Sequence, residues 1–312
     1  MKKSNNQNLF FISYLTKALK NFLVIIILCF SFFQTTLAQE RVFRIIEDGG
    51  TGQYKAIMER DPTLLSHTLF RPENLSKFGS AEKLPIIVWG NGACFNSPWE
   101  HVNFLSEVAS HGFLVVAIGH MPKEGEKEKG KSTSSQMIDG IDWAIAANKD
   151  SKSPFFGKLD ISKISVSGMS CGGLQTLESA PDPRVTTVVV YNSGILSKQR
   201  EGMPGMPQID KTQLNKIHSP TLYVLGGESD IAYNNGMDDF SKINHVPVFV
   251  GNLNVGHAGT YAKPHGGEFA KVATAWYLWQ LKEDTNAGKM FTGNPCELSE
   301  SEGWTVKKKN ID

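Results

Sequence analysis

The sequence predicts an α/β fold with a mostly parallel central sheet and helices on both faces. Three observations carry this. Short runs such as LPIIVW, FLVVAI and VTTVVVY are apolar at consecutive positions, as strands buried on both faces must be. Longer amphipathic segments alternate with them, which is the pattern of helical crossovers between parallel strands. The chain has 312 residues, long enough to enclose a sizeable core.

The elements follow in order. The first 38 residues read as a secretory signal peptide. Lys2, Lys3, Lys17 and Lys20 form a positive start, Phe22 to Phe33 is apolar apart from Ser31, and Thr36-Leu37-Ala38 offers small residues at −3 and −1. The apolar run is shorter than the ~20 residues that span a bilayer, so no stable membrane insertion is expected. Cleavage would leave residues 39–312 as a single domain. Taking four lysines from 32 basic residues leaves 28 against 31 acidic, net −3. No basic block points to nucleic acid, and a monomer is expected.

Strands are predicted at Leu65–Phe70, Leu84–Trp89, Phe113–Ile118, Ile164–Ser167, Val185–Tyr191, Thr221–Leu225 and Val246–Val250. Helices are predicted at Pro98–His111, with Ser97 as N-cap, at Gln136–Asn148, from Leu174 onward, and at Gly267–Lys282. Lys123–Ser135 is charged and polar and reads as an exposed loop. Ser197–His218 carries two Met-Pro pairs without periodicity and is expected to form a small lid.

The chemistry centres on Gly168-Met169-Ser170-Cys171-Gly172-Gly173, where a strand runs into a helix. A sharp strand-to-helix turn crowds the backbone, which calls for glycine on both flanks of the serine, and it leaves the hydroxyl exposed beside unpaired helix N–H groups. G-x-S-x-G alone is weakly specific and could be a packing turn; its context is what marks a nucleophile elbow. A base and an orienting acid should follow in the order acid, then histidine. Asp230 follows the strand Thr221–Leu225, and His257 follows the last predicted strand. The second choices are Glu228 for the acid and His265 for the base; Asp238 and Asp239 are expected to face solvent on a helix. Oxyanion donors are expected from the N–H of Cys171 and one N–H among Asn91, Gly92 and Ala93.

These segments (GMSCGG, GESDI, VGHAG and LPIIVWGNGAC) resemble the α/β-hydrolase superfamily over roughly Leu65 to Lys282. Within it, the chain is most similar to secreted serine esterases related to dienelactone hydrolases and to polyester hydrolases of the cutinase-like groups. The resemblance implies a mostly parallel sheet of eight strands and a Ser170–His257–Asp230 triad. Dienelactone hydrolases proper use a cysteine nucleophile, and the elbow here holds serine. A small-molecule or polymer-borne carboxylic ester is the expected substrate. A serine peptidase or amidase on the same fold, or a non-catalytic binding protein, is the alternative.

No metal or organic cofactor is expected, since the His and Cys residues show no zinc-ligand spacing. If both loops build one oxyanion hole, Cys94 and Cys171 are neighbours and can pair as a disulfide; the alternative is two small buried thiols. Cys296 would stay unpaired. Phe95, Met169, Tyr233 and His120 are the expected substrate-binding residues, with Tyr261 near them, while Trp99 is expected in the core.

Overall fold

Continuous apolar strands need cover on two sides, and the structure supplies it. This structure, a computed structural model, describes residues 41–312 apart from 124, 126–129 and 199–203. The expected leader, residues 1–38, therefore lies outside the described residues, as do parts of the charged loop and of the expected lid.

Among the described residues, one sheet holds ten strands. In chain order they are β1 (Val42–Arg44), β2 (Ala56–Arg60), β3 (His67–Pro72), β4 (Leu84–Gly90), β5 (Leu114–Ile118), β6 (Leu159–Met169), β7 (Thr187–Tyr191), β8 (Thr221–Leu225), β9 (Val248–Leu253) and β10 (Trp304–Lys309). Across the sheet the order is β1-β2-β3-β5-β4-β6-β7-β8-β9-β10. The six strands from β5 to β9 pair in parallel. The first three strands and β10 pair antiparallel at the two ends.

The main helices are α1 (Val102–Ser110), α2 (Ser135–Lys149), α3 (Cys171–Ser179), α4 (Tyr233–Lys242) and α5 (Gly267–Lys282). Strand side chains alternate between faces with period two. Ile86, Val88, Val188 and Val190 pack with Met137 of α2, Leu177 of α3 and Phe240 of α4. Ile87, Trp89, Val189 and Tyr191 pack on the other face with Phe104 of α1 and Trp276 of α5. Helices thus cover both faces, which is why the central strands show no polar side.

Several boundaries differ from expectation. Ten strands pair where the resemblance implied about eight: the seven runs predicted from the sequence become β3 to β9, and β1, β2 and β10 are additional. β10 carries Lys307, Lys308 and Lys309; lysines protect a sheet edge from further pairing and hide the strand from a search for apolar runs. The first helix begins at Val102 rather than Pro98, because Pro98–His101 closes a turn in which the His101 N–H donates to the Pro98 oxygen at 2.9 Å. Lys211–Lys216, inside the expected lid, is a 3-10 turn whose Gln213 amide donates to the Leu177 and Glu178 oxygens at the end of α3.

Candidate active site

β6 ends at Met169, and α3 begins at Cys171. Ser170 between them has φ 55° and ψ −116°, a left-handed backbone that non-glycine residues seldom adopt. Close backbone packing imposes it. A Cβ on Gly168 would sit 2.4 Å from the Gly172 oxygen, and a Cβ on Gly172 would sit 2.1 Å from both the carbonyl carbon and oxygen of Gly90. Glycine at these positions lets the start of α3 lie directly on β4 and β6.

His257 and Asp230 reach the serine from loops beyond β9 and β8. His257 Nε2 lies 3.0 Å from Ser170 Oγ, and its Nδ1 lies 2.6 Å from Asp230 Oδ1. The two loops are tied together, since the N–H groups of Val255 and Gly256 both donate to the Gly226 oxygen, at 3.0 and 2.7 Å. The second choices lie elsewhere. His265 Nδ1 is 3.7 and 3.6 Å from the carboxylates of Glu47 and Glu107. Glu228 is exposed.

The Asp230 side chain is fully buried. Its Oδ2 accepts from Asn192 Nδ2 at 2.8 Å and from the Gly226 N–H at 3.1 Å, and its Oδ1 also accepts from the Ala232 N–H at 2.9 Å. Burial pushes its carboxyl pKa up, but the hydrogen bonds from His257, Ala232 and Asn192 outweigh burial, and the net direction is down. The group is therefore an ionised acceptor that fixes the imidazole tautomer. Asn192 is held in turn by Tyr261, whose hydroxyl donates to Asn192 Oδ1 at 2.6 Å. Ser193 Oγ donates to the Ser170 carbonyl oxygen at 2.7 Å. Asn192 and Ser193 escaped the sequence reading; their only signal was a polar pair just after a buried strand.

The site opens into a cleft of about 780 Å³, large enough for a small-molecule or oligomeric ligand. Ser170, His257, Cys171, Gly92 and Ala93 line it. Cys171 is the first residue of α3, where an N–H has no intrahelical acceptor. Asn91 does not line the cleft. It is buried behind the loop, where its amide donates to the Phe95 and Ile118 oxygens at 2.9 and 2.7 Å and props the turn. Cys94 and Cys171 form a disulfide with Cα atoms 5.1 Å apart, joining that turn to the first residue of α3. Cys296 is free and buried.

Of the expected substrate contacts, Phe95 and Met169 line the cleft and so does Tyr261. Tyr233 does not; it begins α4 and packs against the core cluster. His120 is also absent from the walls, its N–H donating to the Asn96 oxygen at 3.2 Å. Trp99, expected in the core, is a wall residue, because the chain is still turning there and has not entered α1. Asp239, expected in solvent, is buried; it accepts from Lys211, the Ile195 N–H and the Tyr223 hydroxyl. Burial raises its carboxyl pKa to about 6 against the pull of Lys211.

Among the described residues, no group of three or more His, Cys, Asp or Glu is arranged to hold a metal ion, and no helix is long and apolar enough to cross a membrane. Residues 81–301 match the family model described as PETase, PET hydrolase-like. No curated protein matches the chain.

Proposed function

The chain belongs to the PET hydrolase-like family of α/β hydrolases and is a carboxylic ester hydrolase, and from that premise we propose that it works through Ser170, His257 and Asp230 as an exported serine esterase. The observation that carries this reading is the unbroken line of hydrogen-bond contacts from Ser170 Oγ through the imidazole to the buried Asp230 carboxylate.

In this reading His257 Nε2 takes the Ser170 proton as Oγ attacks the ester carbonyl carbon. The carbonyl π pair moves to oxygen, where N–H groups of Cys171 and the Gly92–Ala93 turn receive the charge. Collapse expels the alcohol, which leaves with the proton from His257. Water, deprotonated by the same imidazole, then attacks the acyl-enzyme and releases the acid. Asp230 stays ionised throughout and stabilises the imidazolium. The family's polyester chemistry and the apolar cleft walls support esters borne on a polymer as well as small esters.

Export is supported by the leader pattern of residues 1–38 and by the Cys94–Cys171 bond, which suits an oxidising compartment. The test uses residues 39–312 and Ser170→Ala on p-nitrophenyl acetate, butyrate and octanoate. Hydrolysis should fall at least about a thousandfold in the variant, and a fluorophosphonate should label Ser170. Equal rates in both proteins, with no label, would defeat the serine mechanism.

A further inference from the structure

Glu100 is a charged group in the cleft that the triad does not use. It stands in the turn before α1 and lines the same cleft as Ser170 and His257. Its Oε2 lies 3.7 Å from where a Cβ on Gly92 would be, so the carboxylate sits beside the turn that faces the scissile carbonyl. No Asp, Lys or Arg stands with it among the described wall residues. Lys131 is not a wall residue; its Nζ lies behind the wall, donating to the Ala93 oxygen at 2.8 Å and standing 4.2 Å from the centre of the Phe95 ring. The other polar walls are the amides of Asn103, Asn192 and Asn235, the hydroxyls of Ser170, Ser193 and Tyr261, and the imidazoles of His101 and His257.

We propose that Glu100 makes this esterase select substrates by charge, favouring esters that carry an ammonium group near the scissile bond and disfavouring those that carry a free carboxylate. The proposal rests on the serine-esterase reading. The Glu100 side chain is exposed to the cleft and solvent; desolvation raises its carboxyl pKa, and among the described residues no hydrogen bond or opposite charge lowers it again. Exposed in the cleft and without an ion pair among the described residues, the carboxylate can act on a ligand there. A cationic ester gains Coulomb energy on entering the cleft, and an anionic one loses it along with part of its hydration. On a polyester this would favour attack within a chain over attack beside a free carboxylate end.

The experiment compares three p-nitrophenyl esters of similar acyl length: the neutral butyrate, the anionic glutarate half-ester and the cationic 4-(trimethylammonio)butyrate. kcat/KM is measured for each at low and high salt in the wild type, Glu100→Gln and Glu100→Lys. The wild type should prefer the cationic over the anionic ester by roughly tenfold at low salt, less at high salt. Glu100→Gln should bring the ratio close to that of an uncharged cleft, and Glu100→Lys should reverse it. Because the readout is a ratio within one protein, a general loss of activity does not mimic it. A ratio unchanged in both variants would overturn this proposal and leave the esterase reading intact. Absence of Ser170-dependent hydrolysis of all three esters by the wild type would overturn both.

Discussion

On the serine side of the site, backbone touches backbone; on the acid–histidine side, side chains hold side chains. Gly90, Gly168 and Gly172 bring β4, β6 and α3 so close that a single added carbon has no room, and the Cys94–Cys171 bond links the turn after β4 to the start of α3. Opposite them, Asp230 is placed by Asn192, which is placed by Tyr261, which packs edge-on against His101 with ring centres 4.9 Å apart. Steric exclusion tolerates almost no substitution but depends little on pH. A hydrogen-bonded chain tolerates conservative change, yet its strength depends on which groups are charged.

Gly172→Ala should have the largest effect. Its Cβ would meet the Gly90 backbone at 2.1 Å, so a loss of more than about 4 kcal/mol in a urea unfolding curve, or failure to fold, is expected. Near-normal stability would show that β4 and α3 can move apart, and the contrast between the two halves would collapse.

The next effect is a pH dependence on the other side. Burial pushes the His101 pKa down from 6.5 to about 3, so it is neutral when folded and binds a proton on unfolding. A depressed folded pKa means stability that is present above pH ~6.5 and is lost as pH falls toward ~3, amounting to as much as about 4–5 kcal/mol. Urea titrations of wild type and His101→Phe over that window should diverge, with the flatter curve in the variant. Parallel curves would count against a neutral buried His101.

Removing the disulfide by Cys94→Ser with Cys171→Ser opens a link between residues 77 apart in sequence. Loop entropy sets the loss at up to about 4 kcal/mol, and adding reductant to the wild type should lower its unfolding midpoint in the same way. The turnover of the folded double variant sharpens the comparison. Little change would mean that glycine packing alone positions the proposed oxyanion donors.

The smallest effects fall on the hydrogen-bonded chain. Asn192→Leu removes a donor that helps keep Asp230 ionised, so kcat should fall roughly ten- to a hundredfold and the acidic limb of the kcat profile should move to higher pH. Tyr261→Phe should move both in the same direction by less. A fall in kcat with an unshifted acidic limb would indicate that Asn192 only fills space.

The central strands and the glycine-flanked turn at Ser170 were legible in the sequence, as was the placing of Asp230 and His257 in loops after successive strands, whereas the Cys94–Cys171 pair was expected only if two loops met. Each legible feature rests on a local or chain-order rule: apolar runs for strands buried on both faces, glycines around a strained serine, and loops at the carboxyl ends of successive strands. Several features follow no such rule. Nothing local distinguishes Trp99 in the cleft wall from a helical core residue, because that choice depended on whether the helix began at Pro98 or Val102. Tyr233 and His120 lie near the site in sequence, yet one packs against the core and the other is absent from the cleft walls. Asn91 turned inward as a prop, and Asp239 entered the interior because Lys211, from a distant segment, met it there. By itself, the order of residues determined the layered α/β fold and the residue types at the turn that holds Ser170, because these depend on periodicity and backbone conformation. Only the tertiary structure decided that Asn192 and Tyr261 stand behind Asp230 and that Glu100 borders the cleft, because side chains far apart in sequence acquire a common environment only when the strands that carry them are packed side by side.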